Sequence, residues 1–499
     1  MATHTAVVVL GDVGRSPRMQ YHAASLAAAH PEARVSLVGY GGERCIEEVE
    51  AQPRIVLYPL SAPFARAPRR AFLLWAPLKV LWQVAQLLWV LLFTLPALDA
   101  ILVQNPPSIP TLAVVWLAAR LRRARMIVDW HNFGYTVLAH SMGRRHPVVA
   151  VAAVYERLFG AAADAHLCVT DAMRRWLAEN WGITATVLYD RPPPFFCETP
   201  LPVRHDLFSR LAPHLPSRHV LLGDDLPPSA AAAAPGEVGD ATLFTTLASG
   251  GDSVAAGGGA GASAVRRRRS KSHSSSSAST TNSAVQLRHD RPALIVSSTS
   301  WTEDEDFGLL LDALVEVDAA SAAAPGEYPR FVVCVTGKGP QRAAYEARIA
   351  GLALRRVHIR TLWLEPADYP RLLGAADLGV CLHVSTSGLD LPMKVVDMFG
   401  AGLPVCAVGF SCLPELVQDG VNGLVFATPH QLAHQILTLF HHFPAGASEA
   451  AAVPFPDPAA PPTLAALRTG VAVFQRSRWH DNWLACAAPL FVARHGRSG

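Results

Sequence analysis

The chain has 499 residues, of which 51% are apolar and 17% charged, with a formal net charge of +3. A charged share well under the usual figure of about 25% excludes a disordered chain, a collagen and a coiled coil, and the length allows several domains with large cores. With 43 basic against 40 acidic residues, the charge is too balanced for nucleic acid to be the main partner.

Eight cysteines lie scattered and no CxxC pair occurs, which points to neither a zinc site nor a disulfide framework and fits a reducing compartment. Lysine is scarce: 39 arginines stand against Lys79, Lys271, Lys338 and Lys394. A compact point charge on a flexible stem is what arginine cannot always replace, so each lysine is a candidate for a specific role.

The chain opens on a β-branched apolar run at residues 5–10 rather than on a signal peptide. It ends in Gly11-Asp12-Val13-Gly14-Arg15, a turn that brings backbone close to a ligand and opens a helix over 17–30. Gly11, Asp12, Gly14 and Arg15 are therefore candidate cleft residues. Further strands are expected at 35–38, 55–58, 100–103, 126–128, 165–169 and 186–188, with helices between them. Strand–helix alternation predicts a doubly wound parallel sheet.

Residues 80–98 carry no charge and are long enough to span a bilayer. A span would divide one sheet between two sides of a membrane, so the reading here is a helix lying in the interface. Lys79, Gln83 and Gln86 form a polar stripe bordered by Trp75, Trp82 and Trp89, and Leu87 and Leu91 belong to the apolar surface. Arg66, Arg69 and Arg70 would meet lipid phosphates.

Asp129-Trp130-His131-Asn132 closes the strand at 126–128. Polar groups at the carboxyl end of a parallel strand face the binding crevice, and Asp129 or His131 is the candidate general base.

Residues 222–290 are Ala-, Gly- and Ser-rich with four consecutive arginines, a composition that cannot offset its ordering entropy; a disordered insertion is expected. A second α/β unit follows over 291–430, with strands at 294–298, 331–336, 358–362, 378–382 and 404–408. The N-terminal domain is assigned to 1–205, and helices over 431–499 are expected to pack back across the cleft.

The second unit carries the densest motifs. Ser298, Thr299 and Ser300 end its first strand and are expected at the donor. The acidic run at 303–306 is read as helix capping rather than as a metal site, and no bound metal is expected. Gly337-Lys338-Gly339-Pro340 frees backbone N–H groups and aims Lys338 at a phosphate without forming a P-loop. Ser385 through Asp397 joins hydroxyls, Gly388 and a helix beginning at Pro392. Ser387, Gly388 and Asp390 are expected at the helix mouth as an anion site, with Lys394 and Asp397 on one helix face. Lys394 suits a diphosphate and Asp397 the two hydroxyls of a ribose. Trp363 and Leu364 are the candidates for a base pocket.

The segments VVLGDVGRSPRMQYHA from Val8, QNPPSIPT from Gln104, DWHNFGYT from Asp129, YDRPPPFF from Tyr189, VSSTSWTEDEDF from Val296, VTGKGP from Val335 and DLGVCLHVSTSGLDLPMKVVDMFGAGLPV from Asp377 together resemble the chitobiosyldiphosphodolichol β-mannosyltransferases. The resemblance covers both halves and leaves out the insertion and most of the tail. It implies a GT-B fold of two Rossmann-like domains facing a cleft. It also implies inverting transfer of mannose from GDP-mannose to the 4-hydroxyl of the outer GlcNAc of dolichol-diphosphate-chitobiose, with no tightly bound cofactor. The same resemblance implies the cytosolic face of the endoplasmic reticulum membrane and other dolichol-pathway mannosyltransferases as partners. Lys338, Lys394 and the Gly388 loop would stabilise the departing GDP.

Related GT-B families place two glutamates eight positions apart. Asp397 matches the second, Leu389 stands where the first belongs, and Asp390 is the nearest carboxylate. Relatives of this kind carry a membrane helix before the first strand; the sequence given starts at the strand, so anchoring is expected to fall to 71–98. The rival expectations are a GT-B enzyme with another nucleotide sugar and an inactive GT-B subunit of a membrane glycosyltransferase complex.

Overall fold

A computed structural model describes residues 4–61, 72–222, 241–247, 284–302, 305–444 and 461–492. The apolar runs of the N-terminal half form seven parallel strands: β1 His4–Asp12, β2 Arg34–Tyr40, β3 Ile55–Leu60, β4 Ala100–Asn105, β5 Arg125–Trp130, β6 Ala165–Cys168 and β7 Thr186–Val187. Their order is β3-β2-β1-β4-β5-β6-β7. The order reverses between β1 and β4, and a crevice opens at the carboxyl ends of strands on either side of such a switch.

The second sheet has six parallel strands after a small antiparallel pair, β8 Thr245–Leu247 with β9 Val285–Leu287. They are β10 Ala293–Ser298, β11 Phe331–Thr336, β12 Val357–Leu362, β13 Leu378–Cys381, β14 Val405–Val408 and β15 Gly423–Phe426, in the order β12-β11-β10-β13-β14-β15. Both sheets are covered on both faces, so the central strands are apolar throughout rather than alternating.

Two expected boundaries move. Helix Leu201–Leu211 buries Leu207, Phe208 and Leu211 in the core of the second domain, and Arg210 pairs with Asp368 there, so the first domain ends before residue 201. Stretches 241–247 and 284–290, expected within the unstructured insertion, fold as β8 and β9: Phe244 is buried against Phe208 at 4.3 Å between ring centroids, and His205 bonds Thr245 at 2.9 Å. One aromatic anchor supplies the apolar burial that the surrounding composition lacks. The rest of the expected insertion lies outside the described residues.

The tail returns to the first domain. Helix Trp479–Cys486 lays Trp479 and Trp483 against helix Pro17–Ala29, in the same core as Val7 and Val9 of β1.

The apolar helix Phe72–Trp89 continues as a π-helical turn over Val90–Thr94. Its orientation differs from the expected one. Leu87 and Leu91 are fully buried against the first sheet. Two members of the polar stripe face the protein, Gln83 Nε2 donating to Tyr40 Oη at 2.8 Å and Gln86 Nε2 to Ser61 Oγ at 3.1 Å, while Lys79 is exposed. Leu81, Trp82, Trp89 and Phe93 are exposed, Phe93 by 70%. A helix apolar on nearly every side does not declare its inner face by periodicity, and the hydroxyls at the sheet edge decide it. Residues 77–94 are long and apolar enough to cross a membrane by length and composition. Arg66, Arg69, Arg70 and the side chain of Trp75 lie outside the described residues.

Candidate active site

Asp129, at the end of β5, is fully buried and takes four hydrogen bonds. Arg18 binds it in a bidentate fork, Nε to Oδ2 at 2.8 Å and Nη2 to Oδ1 at 2.9 Å. His22 Nε2 lies 3.0 Å and His131 Nε2 2.8 Å from Oδ2. Burial alone would raise its proton affinity, but the Arg18 guanidinium and the two imidazoles hold its carboxyl well below the usual carboxylate range. An anion so paired is no proton acceptor, which corrects the expectation that Asp129 itself serves as base. Its bond to Nε2 fixes the position of the His131 ring. With Nε2–H donated to Asp129, His131 presents the Nδ1 lone pair to the cleft. Arg18 also donates to Leu188 O at 2.9 Å and Asp190 Oδ1 at 2.7 Å, which ties β5 to the crossing segment after β7.

His131 lines a cavity of about 220 Å³ together with Arg15, Asp190, Asp390, Leu391 and Met393. Of the expected cleft residues Gly11, Asp12, Gly14 and Arg15, Arg15 reaches this cavity, together with Ser16 and Pro17 that follow it. Asp12 is occupied as a brace, accepting from Gly14 N at 3.0 Å and Glu43 N at 3.2 Å. Gly14 is required because a side chain there would run into the Glu43 carbonyl, and Gly11 lies in the same turn.

In the second domain, Lys394, which follows the cavity-lining Met393, pairs with Glu305, not with Asp397. Glu305 is buried and also accepts from Thr299 Oγ1 at 2.7 Å and Ser300 N at 2.5 Å. Capping, expected for the whole acidic run, accounts for only part of it. Asp306 does cap helix Phe307–Ala323, accepting from Gly308 N at 2.9 Å, but Glu305 turns inward to Lys394. Residues 303 and 304 lie outside the described residues. Ser298 Oγ is engaged by Tyr369 Oη at 3.1 Å and Thr336 Oγ1 at 3.3 Å; Ser300 remains exposed, its Oγ 3.5 Å from Lys394 Nζ.

Asp397 is half-buried on helix Met393–Gly400, and among the described residues nothing donates to its carboxyl. Burial, and then the nearby Asp190, push its proton affinity well above the usual carboxylate range. This is a group that gains most from hydroxyl donors placed against it.

The 385–390 loop does not form the expected open helix mouth. Gly388 precedes the helix by several residues, and its N–H is donated to Ser385 Oγ at 2.9 Å. Asp390 accepts from Ser385 Oγ, from Ser387 Oγ at 3.1 Å and, across the cleft, from Asn132 Nδ2 at 3.1 Å. Thr170 Oγ1 donates to Leu389 O at 2.6 Å, and Glu415 receives the N–H groups of Asp171 and Ala172 at 2.7 and 2.8 Å. These bonds join the two domains beside the cavity. Lys338 sits apart, its Nζ 3.6 Å from the centroid of the exposed Trp363 ring, a cation–π contact at the second domain's edge.

Arg18, His22 and Glu305 were not singled out by sequence reasoning. Arg18 and His22 had a signal: two polar groups at i and i+4 in a helix that is otherwise buried.

Residues 14–188 match the family described as glycosyl transferase 4-like domain, and residues 291–442 that described as glycosyl transferases group 1. The chain is 41% identical to mouse chitobiosyldiphosphodolichol beta-mannosyltransferase over 98% of its length and 89% of the relative's. It is 43% identical to Arabidopsis thaliana UDP-glycosyltransferase TURAN, over 97% of the chain and 96% of the relative. Among solved structures, Anabaena Alr3699/HepE in complex with UDP and glucose superposes with a TM-score of 0.54 at 14% identity, covering 97% of this chain and 98% of that one. Sucrose-phosphate synthase from Thermosynechococcus elongatus gives 0.53 at 13%, covering 98% and 96%. These two likenesses speak to the fold, which is GT-B. The chain belongs to the chitobiosyldiphosphodolichol β-mannosyltransferase family of GT-B glycosyltransferases.

Proposed function

We propose that this chain transfers mannose from GDP-mannose to the 4-hydroxyl of the outer GlcNAc of dolichol-diphosphate-chitobiose, with inversion, at the cytosolic face of the endoplasmic reticulum membrane. The observation that carries the chemistry is His131, held by the buried Asp129 anion and lining the same cavity as Arg15 and Asp390. His131 Nδ1 takes the acceptor proton as the acceptor oxygen attacks the anomeric carbon. The bond from that carbon to the GDP oxygen breaks, and Lys394 with Arg15 meets the charge on the leaving diphosphate. Asp397 receives the ribose hydroxyls, and Lys338 with Trp363 flanks the nucleotide. The name shared by the mouse, orangutan and human relatives supports the acceptor and the sugar.

The test is turnover by purified protein supplied with chitobiosyl-diphosphate-lipid acceptor and either GDP-mannose or a UDP-sugar. GDP release coupled to a β-linked trisaccharide is the expected result. Turnover with a UDP-sugar alone would overturn the donor assignment and favour the nucleotide in the Arabidopsis relative's name.

A further inference from the structure

A second groove, of about 550 Å³, lies beside the cleft. One wall is helix Gly134–Met142, which contributes Tyr135, Thr136 and His140 and ends beside Arg144; the other is Thr386 and Ser387. Arg144 is exposed and, among the described residues, has no ion-pair or hydrogen-bond partner. The groove shares its second wall with the catalytic cavity, because Asp390, in the same loop, lines that cavity and is bonded to Asn132.

Val149 of helix Pro147–Ala161 also lines the groove, and that helix belongs to a layer of four. Helices Phe72–Trp89, Thr111–Arg122, Pro147–Ala161 and Gly134–Met142 pack side by side in that order over the first domain. Their outward rows are apolar: Leu81 and Trp89 on the first, Leu121 on the second, Val151 and Val154 (67% and 68% exposed) on the third, and Val137 on the fourth. An apolar face extending over four helices marks an interaction site.

The charges say which partner it fits. Residues 72–98, 111–123 and 134–161 contain seven basic residues and one acidic residue, Glu156. Glu156 is buried, bonded to Asn105 Nδ2 at 2.6 Å and to the N–H groups of Gly134 and Tyr135. Arg120 pairs with Asp164 at 3.9 Å just beyond these segments; within them the face presents cations and apolar side chains without an exposed carboxylate. Two copies would repel one another across it, whereas an anionic bilayer complements it.

We propose that the groove between helix Gly134–Met142 and Thr386–Ser387 holds the diphosphate of a polyprenyl-diphosphate acceptor, whose chain leaves over the apolar helices into an anionic bilayer. Arg144 and His140 face the phosphate charge, and the hydroxyl of Thr386, which accepts from Asn132 Nδ2 at 3.3 Å, keeps its own proton to donate to a phosphate oxygen. The sugar end then lies toward His131. The proposal deepens the acceptor assignment above and rests on that reading for the acceptor class.

Direct binding tests it without turnover. Geranylgeranyl diphosphate is titrated into the full chain in neutral detergent micelles, with geranylgeraniol as the comparison. The diphosphate should bind more tightly than the alcohol, and Arg144→Ala should weaken it by about tenfold or more, the size of one charge-assisted bond, with Arg144→Lys intermediate. Equal binding of diphosphate and alcohol, or an Arg144→Ala variant that melts like the parent and binds the diphosphate equally well, would overturn the groove. The face is tested by flotation with phosphatidylserine-containing vesicles, where Val151→Glu with Val154→Glu should lose most binding. Unchanged flotation, or a dimer of the parent chain that this double variant converts to monomer, would overturn the bilayer assignment. Failure of GDP-mannose turnover would strike the function and leave these binding results to be read separately.

Discussion

The indole N–H of Trp483 donates to Nδ1 of His22 over 2.9 Å, joining residues 461 positions apart in the chain. A ring nitrogen that accepts carries no proton, so neutral His22 is protonated at Nε2 and donates to Asp129. Burial lowers the proton affinity of His22 and keeps it neutral. The returning C-terminal segment thus sets a tautomer two bonds away from His131. Trp483→Phe keeps the packing and removes the donor. It should cost about 1–3 kcal/mol in urea denaturation, the penalty for a buried acceptor left unpaired, and lower kcat more than it raises donor KM.

His131→Gln should lower kcat by about 10²–10⁴, the usual worth of a positioned general base, with GDP affinity unchanged. If Asp129 acts through His131, adding Asp129→Asn to His131→Gln should cost little further turnover. Additive losses in single-turnover kinetics would separate the two groups.

Asp129→Ala should be far more damaging to folding than to any single catalytic step. It leaves Arg18 buried without its main partner, a loss of about 3–5 kcal/mol. The sign of the pH dependence follows from the depressed carboxyl. The stability that Asp129 contributes is present above the unfolded carboxylate range and lost as pH falls through its folded value. The variant should therefore lose the acid-side slope that the parent shows in melting temperature against pH.

Asp397 should behave in the opposite way. Its proton affinity is raised, so its burden is absent below the unfolded carboxylate range and grows as pH rises from there toward the folded value. Asp397→Asn should melt higher than the parent at neutral pH and no higher in strong acid. Asp397→Ala should weaken GDP binding by about 1.5–3 kcal/mol in calorimetry, the range for hydrogen bonds to a charged group. Unchanged GDP affinity removes it from the ribose site.

The two faces of the apolar helix give paired predictions. Leu87→Ala should cost about 2–5 kcal/mol, as for a buried leucine anywhere in a core. Leu81→Glu, on the exposed face, should change stability within about ±0.5 kcal/mol and lower the membrane-bound fraction in sedimentation.

By itself the sequence determined the two parallel α/β units, because short apolar runs separated by helical stretches admit few other folds, and it determined the family through motifs spread over both halves. It also placed Asp129, His131, Lys394 and Asp397 at strand ends and helix starts where a cleft would form. Tertiary structure alone decided which partners each of them meets. Asp129 is enclosed by Arg18, His22 and His131, which converge on it. Lys394 found Glu305, 89 residues away, and Asp397 has no donor among the described residues. The inner face of the 72–94 helix, the domain boundary near residue 200 and the return of Trp483 to His22 were likewise settled by packing. Periodicity records which residues share a face of one element. Desolvation and partner choice depend on what another element brings to that face, and local sequence does not carry that information.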